Sequence, residues 1–298
     1  MDFRFTQDQQ DLIDAAKSFF DGENTPERMR KMAAGEQVTN LWPQFAQLGL
    51  LGIMVPESAG GLAQQLVVMA GVAEAAGYAG VSEPYVEIAG ITVPHAKEGE
   101  LSGPIQRAVL SDLRPYIDAL LAENGEALNS IDPLRNLVKA KDGNDKNVDS
   151  VNFHGAVLTA AQLIGLSQRM VDMSVDYAKD RHQFGKPIGS FQAVKHQLAN
   201  VYTQIEFTRP IIHLAAIKGG AAVHNAKVAA IDTAMLAAET AIQVHGGMGY
   251  TYEVDLHLFM KRAWALCGEW GDRNYHMKRL EDYVLNGDAE LGPGQSFA

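Results

Sequence analysis

Residues 191–205 read FQAVKHQLANVYTQI, and this stretch decides the fold class of the chain. Its apolar residues recur at steps of three and four, which is the spacing of one face of an α-helix. The same rhythm returns from Val228 to Ile242 and again from Leu256 to Leu266. A fourth segment, from Val157 to Tyr177, is long and apolar enough to form another helix. Four such helices with short connections predict a four-helix bundle in the second half of the chain.

The first half is also predicted to be helical, although it is interrupted more often. Thr6 and Gln9 have the spacing of a capping box at the start of a first helix. The apolar face of that helix is formed by Leu12, Ile13, Ala16, Phe19 and Phe20. Residues 67–76 are alanine-rich and apolar, which predicts a buried helix. Residues 105–121 have helical spacing, with Pro115 bending or splitting the helix. We find no convincing series of alternating strands, so the predicted class is mainly α.

A polar stretch at residues 123–150 separates the two halves. It is rich in Asn, Asp, Gly and Lys, which is typical of loops and linkers. We therefore predict an N-terminal helical domain at 1–122, a linker at 123–150 and a C-terminal four-helix domain at 151–298.

Composition disfavours several classes of function but does not identify one. The chain has 298 residues, 47% of them hydrophobic, and a formal net charge of −11, which disfavours general nucleic-acid binding. No run of 18 apolar residues and no signal-peptide pattern is present, so we expect no membrane association. The single cysteine, Cys267, cannot form an internal disulfide, and we expect a cytoplasmic protein. No spacing of Cys and His residues indicates a metal site.

Several motifs together resemble the acyl-CoA dehydrogenase family. Residues 181–192, RHQFGKPIGSFQ, are similar to its R-x-x-F-G-x-x-I-x-x-F-Q motif. Residues 243–250, QVHGGMGY, are similar to its Q-x-x-G-G-x-G-[YF] motif, and the helix containing LFMKRA at 258–263 follows. The segment LGLLGIMVPE at 48–57 and the opening F-T-x-x-Q helix also match. The resemblance covers about residues 1–120 and 151–280, in the order that the family has.

One part of the family pattern is missing. Members have an N-terminal helical domain, a middle β-domain and a C-terminal four-helix domain, and the middle domain carries segments that line the flavin. Those segments are absent, and only residues 131–136, IDPLRN, are similar to the end of that domain. Residues 125–151 are too few for a β-barrel-like domain. The resemblance therefore implies this fold with its middle β-domain largely deleted, and residues 123–150 as a linker or a remnant of that domain.

The two motifs imply a site for FAD. Arg181 offers a charged fork for its diphosphate, and Phe184 can pack on a ring. Gln192 and Gln243 can form hydrogen bonds with ribityl, ribose or adenine groups, and Gly246 and Gly247 let backbone N–H groups approach phosphate. In the family, the corresponding residues reach across an interface to a neighbouring subunit's FAD.

The catalytic base is harder to place. The family reaction removes an α-proton from an acyl thioester with a carboxylate, while hydride leaves the β-carbon for the flavin. The two positions where the family places this carboxylate match Gly155 and Trp270, which cannot accept a proton. Glu269 is adjacent and is the one candidate base, with a surface carboxylate as the alternative. Glu253 is expected to order its loop.

Three functions remain open. The first is a subunit of a heteromeric acyl-CoA dehydrogenase, inactive alone, similar to bacterial α2β2 enzymes that act on bulky CoA thioesters such as steroid side chains. Its partner would be a full-length subunit that supplies the flavin pocket and the glutamate, and an electron-transfer flavoprotein would accept the electrons. The second is a self-sufficient homo-oligomer that uses Glu269. The third is a non-catalytic helical scaffold.

Overall fold

The computed structural model describes residues 4–95, 116–118, 126–135, 137–139 and 148–287, and these residues are mainly helical. The α-helices are α1 (Gln7–Glu23), α2 (Pro26–Ala33), α3 (Trp42–Gln47), α4 (Leu66–Ala79), α5 (Val148–Asp180), α6 (Gln192–Lys218), α7 (Ala221–His245), α8 (Leu256–Cys267) and α9 (Arg273–Glu281). The strands are β1 (Tyr116–Asp118), β2 (Glu126–Leu128), β3 (Leu137–Lys139), β4 (His182–Gln183) and β5 (Lys186–Pro187). The predicted fold class is confirmed.

Helix α1 begins as its sequence predicts. The Gln9 backbone N–H donates to the Thr6 hydroxyl at 3.4 Å, and the Thr6 N–H donates to the Gln9 side chain at 3.0 Å, which completes the capping box. Ile13, Ala16 and Phe20 are buried along its inner face. The first helix and its apolar face are therefore confirmed.

The N-terminal helices join the C-terminal bundle along α4 and α5, where the two backbones are in direct contact. A Cβ atom on Gly77 would lie less than 3.0 Å from the backbone of Gln162. A Cβ atom on Gly165 would likewise lie less than 3.0 Å from the backbone of Glu74. Such an approach is open only to residues without a side chain. Helix α4 is buried over almost its whole surface, as predicted for residues 67–76.

The second half forms the predicted helical bundle. Helix α5 has 33 residues and packs against α4, α6, α7 and α8, so it is the central helix of the molecule. Helices α6 and α7 have 27 and 25 residues and are antiparallel neighbours, because only Gly219 and Gly220 connect them. The bundle buries mainly alanine, valine, isoleucine and leucine side chains.

The region between the halves differs from its prediction. Strands β1, β3 and β2 form a three-stranded antiparallel sheet in that order. The expected helix at 105–121 is therefore wrong over 116–118, and its earlier part lies outside the described residues. Pro115 directly precedes β1 in the sequence and disfavours helix continuation. Strands β2 and β3 lie within residues 123–150, which were expected to be a linker or a remnant of the middle β-domain, and the domain limits at residues 122 and 150 stay a prediction.

Among the helices that the structure describes, none is both long enough and apolar enough to cross a membrane.

We predict that Gly165→Ala destabilises the full chain by about 1–3 kcal/mol, because the new methyl group would enter the backbone of α4. The measurement is the urea midpoint of unfolding. The matched control is Gly22→Ala on the exposed side of α1, where a Cβ would meet no atom within 4 Å. Because alanine favours helix, that control is expected to stabilise by about 0.5–1 kcal/mol. Equal effects of the two substitutions would contradict the close contact.

Candidate functional site

A cleft of about 420 Å³ opens where α5 and α7 end. Arg181 directly follows α5, and its backbone is fixed by hydrogen bonds from its N–H to Tyr177 O and from the Ile188 N–H to its own carbonyl, both 2.8 Å. Gly246 and Gly247 directly follow α7. The lining residues are Tyr177, Arg181, Gln183, Ile188, Val244, His245, Gly246, Gly247, Met248, Thr251 and Glu253. The structure thus brings together three of the residues expected at an FAD site.

The two glycines leave space at the cleft. Gly246 has φ of +58°, and a Cβ on either Gly246 or Gly247 would meet no other atom within 4 Å. Their backbone therefore faces open space that any side chain would fill. An exposed arginine beside such a glycine pair fits a diphosphate, which binds to guanidinium groups and to backbone N–H groups.

Phe184 lies at the tip of a short hairpin beside the cleft. Strands β4 and β5 pair antiparallel, and Phe184 and Gly185 form the two-residue turn with φ of +55° and +80°. This is the backbone expected of a tight hairpin, although a phenylalanine in the left-handed region is unusual. Its ring is 90% exposed and makes an edge contact with Phe191 at 6.0 Å. The hairpin thus presents an apolar ring to the outside of the chain.

The two glutamines lie outside the cleft lining. Gln192 begins α6 and Gln243 lies near the end of α7, and both side chains are exposed. The structure therefore does not place their side chains in the lining of the cleft, although the Gln243 carbonyl accepts a hydrogen bond from the Gly246 N–H.

Sequence reasoning missed a stacked pair in the wall of the cleft. The rings of Tyr177 and His245 stack with centroids 4.4 Å apart and an angle of 25°. The His245 Nδ1–H donates to Ala241 O at 2.8 Å, and burial lowers the pKa of His245. The ring is therefore neutral at pH 7, with Nε2 as an acceptor. Tyr177 could have been found, because it lies four residues before Arg181, one helical turn away.

Gly155 and Trp270, the two residues expected at the family's base positions, lie against each other. Trp270 is 1% exposed, and its ring lies so close to α5 that a Cβ on Gly155 would be less than 3.0 Å from the indole. Trp270 has φ of +56° and Gly271 has φ of +96°, so this loop turns sharply to bring the indole inward. Any side chain at residue 155 would overlap the ring.

Glu269 is held in a buried ion-pair network. Its Oε1 lies 2.9 Å from Arg135 Nη2, and Arg135 Nη1 lies 3.0 Å from Glu87 Oε1. The Arg135 side chain is only 3% exposed. The candidate base is thus paired with a cation from the segment at 131–135, and its role as a base stays a prediction.

A second buried group fixes the Trp270 backbone. His276 Nε2 lies 2.9 Å from Trp270 O, and His276 Nδ1 lies 2.8 Å from His224 Nδ1. Burial lowers the pKa of His276 to about 3 and that of His224 to about 4, so both rings are neutral at pH 7. His276 therefore donates from Nε2 to the carbonyl and accepts at Nδ1 from His224. Lys227 is fully buried and donates to Leu266 O at 3.0 Å, at the carboxyl end of α8.

Within the described residues, no group of three or more His, Cys, Asp or Glu side chains could hold a metal ion.

Two family models match the chain, and together they span most of its length. The acyl-CoA dehydrogenase N-terminal domain matches residues 6–98, and the acyl-CoA dehydrogenase C-terminal domain matches residues 152–282. The chain belongs to the acyl-CoA dehydrogenase family. Family membership makes it a relative of oxidoreductases that act on CH–CH bonds and assigns FAD as the cofactor.

Relatives in this family include two proteins named acyl-CoA dehydrogenase IpdE2. The protein from Mycolicibacterium smegmatis is 28% identical, and the match covers 94% of this chain and 100% of that protein. The protein from Mycobacterium tuberculosis is 33% identical over 54% of this chain and 52% of that protein. The first match spans both halves of the chain and the region between them.

Solved structures share the fold. A chain of the ChsE4–ChsE5 complex from Mycobacterium tuberculosis has a TM-score of 0.81 at 21% identity, covering 98% of this chain and 100% of that chain. A variant of the Tcur3481–Tcur3483 steroid ACAD has a TM-score of 0.76 at 21% identity, and the match covers 95% of this chain and 99% of that chain. The FAD complex of PigA has a TM-score of 0.75 at 16% identity, and the match covers 96% of this chain and 100% of that chain.

We predict that His276 makes stability depend on pH. Its folded pKa of about 3 lies below the ordinary histidine pKa of 6.5, so between these pH values the unfolded chain binds a proton that the folded chain does not. The stabilisation is fully present above pH 6.5 and decreases as the pH falls towards 3. His276→Gln should therefore lower the slope of unfolding free energy against pH in this window, by at most about 1.4 kcal/mol per pH unit.

The measurement is the free energy of unfolding from urea titrations at about four pH values between pH 4 and pH 7. The matched control is His196→Gln on the exposed side of α6, which should leave the slope unchanged. A His276→Gln slope equal to the wild-type slope would contradict the buried neutral ring.

Proposed function

We propose that this chain is one subunit of a heteromeric FAD-dependent acyl-CoA dehydrogenase and is inactive alone. It holds the diphosphate end of a cofactor whose flavin pocket and catalytic glutamate lie in a different, full-length subunit. One contrast carries the proposal: the cleft at Arg181 is open, whereas the base position at Gly155 is filled by Trp270.

The filled base position argues against catalysis by this chain alone. Removal of an α-proton needs a carboxylate within hydrogen-bond reach of the substrate carbon. Gly155 and Trp270 have no such group, and the indole takes the space that a side chain at 155 would need. Glu269 is the neighbouring carboxylate, but its Oε1 is paired with Arg135 in a network with Glu87. Moving it to a substrate would leave a buried arginine with one partner fewer, which is costly.

The distance between the two regions supports a cofactor shared between subunits. Gly155 lies near the start of α5 and Arg181 directly follows its end. At 1.5 Å per residue, about 40 Å of helix separates them. This separation is larger than the length of an extended dinucleotide, so one FAD cannot bind to Arg181 and also reach residue 155 of the same chain. Arg181 and Phe184 are exposed, which suits contact with a cofactor held by a neighbour.

The roles of the chain's own residues follow from these positions. Arg181 would neutralise the diphosphate, and the Gly247 N–H would donate to its oxygens. The Gly246 N–H already donates to Gln243 O and Ile242 O, so Gly246 would contribute by leaving room for the diphosphate to approach. Phe184 would pack on the partner or on a ring of the cofactor, and Gln192 and Gln243 would contact its polar groups from the rim. FAD, when bound, supplies the hydride acceptor of the reaction.

The proposed substrate is a bulky acyl-CoA, such as a steroid side-chain thioester, and the proposed electron acceptor is an electron-transfer flavoprotein. Similar structures include the ChsE4–ChsE5 complex and the Tcur3481–Tcur3483 steroid ACAD. A chain whose middle β-domain is reduced to short segments would leave room beside the partner's active site. A polycyclic acyl group would need this space, whereas a linear acyl chain would not.

Two alternatives are less well supported. A homo-oligomer that uses Glu269 would need this carboxylate to leave its ion pair with Arg135. A non-catalytic scaffold would have no use for an exposed arginine beside a glycine pair that opens onto a cleft.

We predict one FAD for each pair of unlike chains. The chain should be purified alone and together with a full-length acyl-CoA dehydrogenase subunit, with mass measured by light scattering and flavin by absorbance. The chain alone should carry no flavin. In the complex, Arg181→Ala should lower FAD affinity by about 10–100-fold, since a charged hydrogen-bonding group contributes about 1.5–3 kcal/mol.

The matched control is Arg273→Ala, which removes an exposed arginine outside the cleft and should leave FAD affinity unchanged. A yellow homo-oligomer with one FAD for each chain would reject the heteromeric proposal and make Glu269 the residue to substitute next.

We also predict that the complex prefers polycyclic acyl groups. Initial rates with a steroid side-chain CoA thioester and with linear acyl-CoA of similar carbon number should give a kcat/KM at least about tenfold higher for the steroid thioester, equivalent to about 1.4 kcal/mol. Equal values would reject the bulky substrate while leaving the shared cofactor untouched.

A further inference from the structure

The cleft at the ends of α5 and α7 has a simple charge pattern. Among its described lining residues, the charged side chains are Arg181 and Glu253. His245 adds no positive charge at pH 7, because burial lowers its pKa. The cleft therefore offers one cation and one carboxylate to a ligand.

The Glu253 backbone is fixed by its own loop. The Thr251 hydroxyl donates to Met248 O at 3.0 Å and accepts from the Glu253 N–H at 3.3 Å. The loop-ordering role expected of Glu253 thus falls to the hydroxyl of Thr251. The Glu253 carboxylate makes no ion pair within the described residues, whereas the nearby Asp255 accepts two hydrogen bonds from Arg30 at 2.7 and 2.8 Å. Glu253 is therefore exposed and available to a ligand.

Two molecules in an acyl-CoA dehydrogenase carry an ADP group. The ribose of FAD has free 2′- and 3′-hydroxyls, whereas the ribose of CoA carries a 3′-phosphate. A carboxylate accepts hydrogen bonds from a ribose diol, as the acidic residue of dinucleotide-binding folds does. The same carboxylate repels a phosphate at that position, and Arg181 is already needed by the diphosphate. The charge pattern of the cleft therefore fits the ADP group of FAD and opposes that of CoA.

We propose that Glu253 is a specificity-determining residue, which makes this cleft bind an ADP group with free ribose hydroxyls and reject the 3′-phosphorylated ADP group of CoA. The inference rests on the proposed function of the cleft as a site for the FAD diphosphate. Repulsion of the 3′-phosphate would explain why the CoA part of the substrate does not bind in the cleft meant for FAD.

The test uses this chain in complex with a full-length partner subunit, with FAD removed, and two probes that differ by one phosphate, ADP and 3′-phosphoadenosine 5′-diphosphate. Calorimetric titration should give an affinity for ADP at least about tenfold higher than for the 3′-phosphorylated probe, as expected of one close pair of like charges. Glu253→Gln should bring the two affinities to within about threefold, mainly by improving binding of the 3′-phosphorylated probe. Glu239→Gln, an exposed carboxylate of α7 outside the cleft, should keep the wild-type ratio.

Arg181→Ala distinguishes failure of the specificity role of Glu253 from failure of the proposed diphosphate site. If this substitution weakens both probes while Glu253→Gln leaves their ratio unchanged, the specificity role is overturned and the diphosphate site stands. If Arg181→Ala leaves ADP binding unchanged, the diphosphate site itself is wrong, and the inference fails with it. A wild-type complex that binds neither probe, or binds both equally, also overturns the inference.

Discussion

The backbone contact between α4 and α5 is the constraint on which the rest of the structure depends. Gly77 and Gly165 let the two helices touch without intervening side chains, so α5 is held against the N-terminal half at its middle. The two candidate site regions then lie towards the two ends of this 33-residue helix. One end carries Gly155 beneath Trp270, and the other leads into Arg181 and its hairpin. Because α5 is a single rigid element, the spacing of the two regions is set by helix geometry.

Buried charge holds the segment at 131–135 between the two halves. Asp132 pairs with Arg262 of α8, which also donates to Val81 O at 2.8 Å, and Arg135 bridges Glu87 and Glu269. Buried ion pairs add little net stability, but loss of one partner is strongly destabilising. Their effect is to fix one arrangement, in which the loop before α9 turns inward and the indole is kept on α5.

Much of the fold and part of the site could be predicted from sequence because their signals are local. The capping box at Thr6, the apolar faces of the long helices and the glycine pair after α7 each need only a few neighbouring residues. What was missed depends on contacts distant in sequence. Strand β1 is set by pairing with β3, Glu269 meets Arg135 from another part of the chain, and the stacking of Tyr177 on His245 joins two helix ends. No spacing rule reports such contacts.

The packing of Trp270 on Gly155 has a consequence for how sequences of this kind can change. A glutamate introduced at residue 155 would overlap the indole, and a glutamate in place of Trp270 would leave a cavity and a carboxylate facing bare backbone. A carboxylate at either position therefore needs a compensating change at the other. The contact between residues 155 and 270 therefore limits which substitutions either position can accept on its own, and we expect the two residues to change together in related sequences.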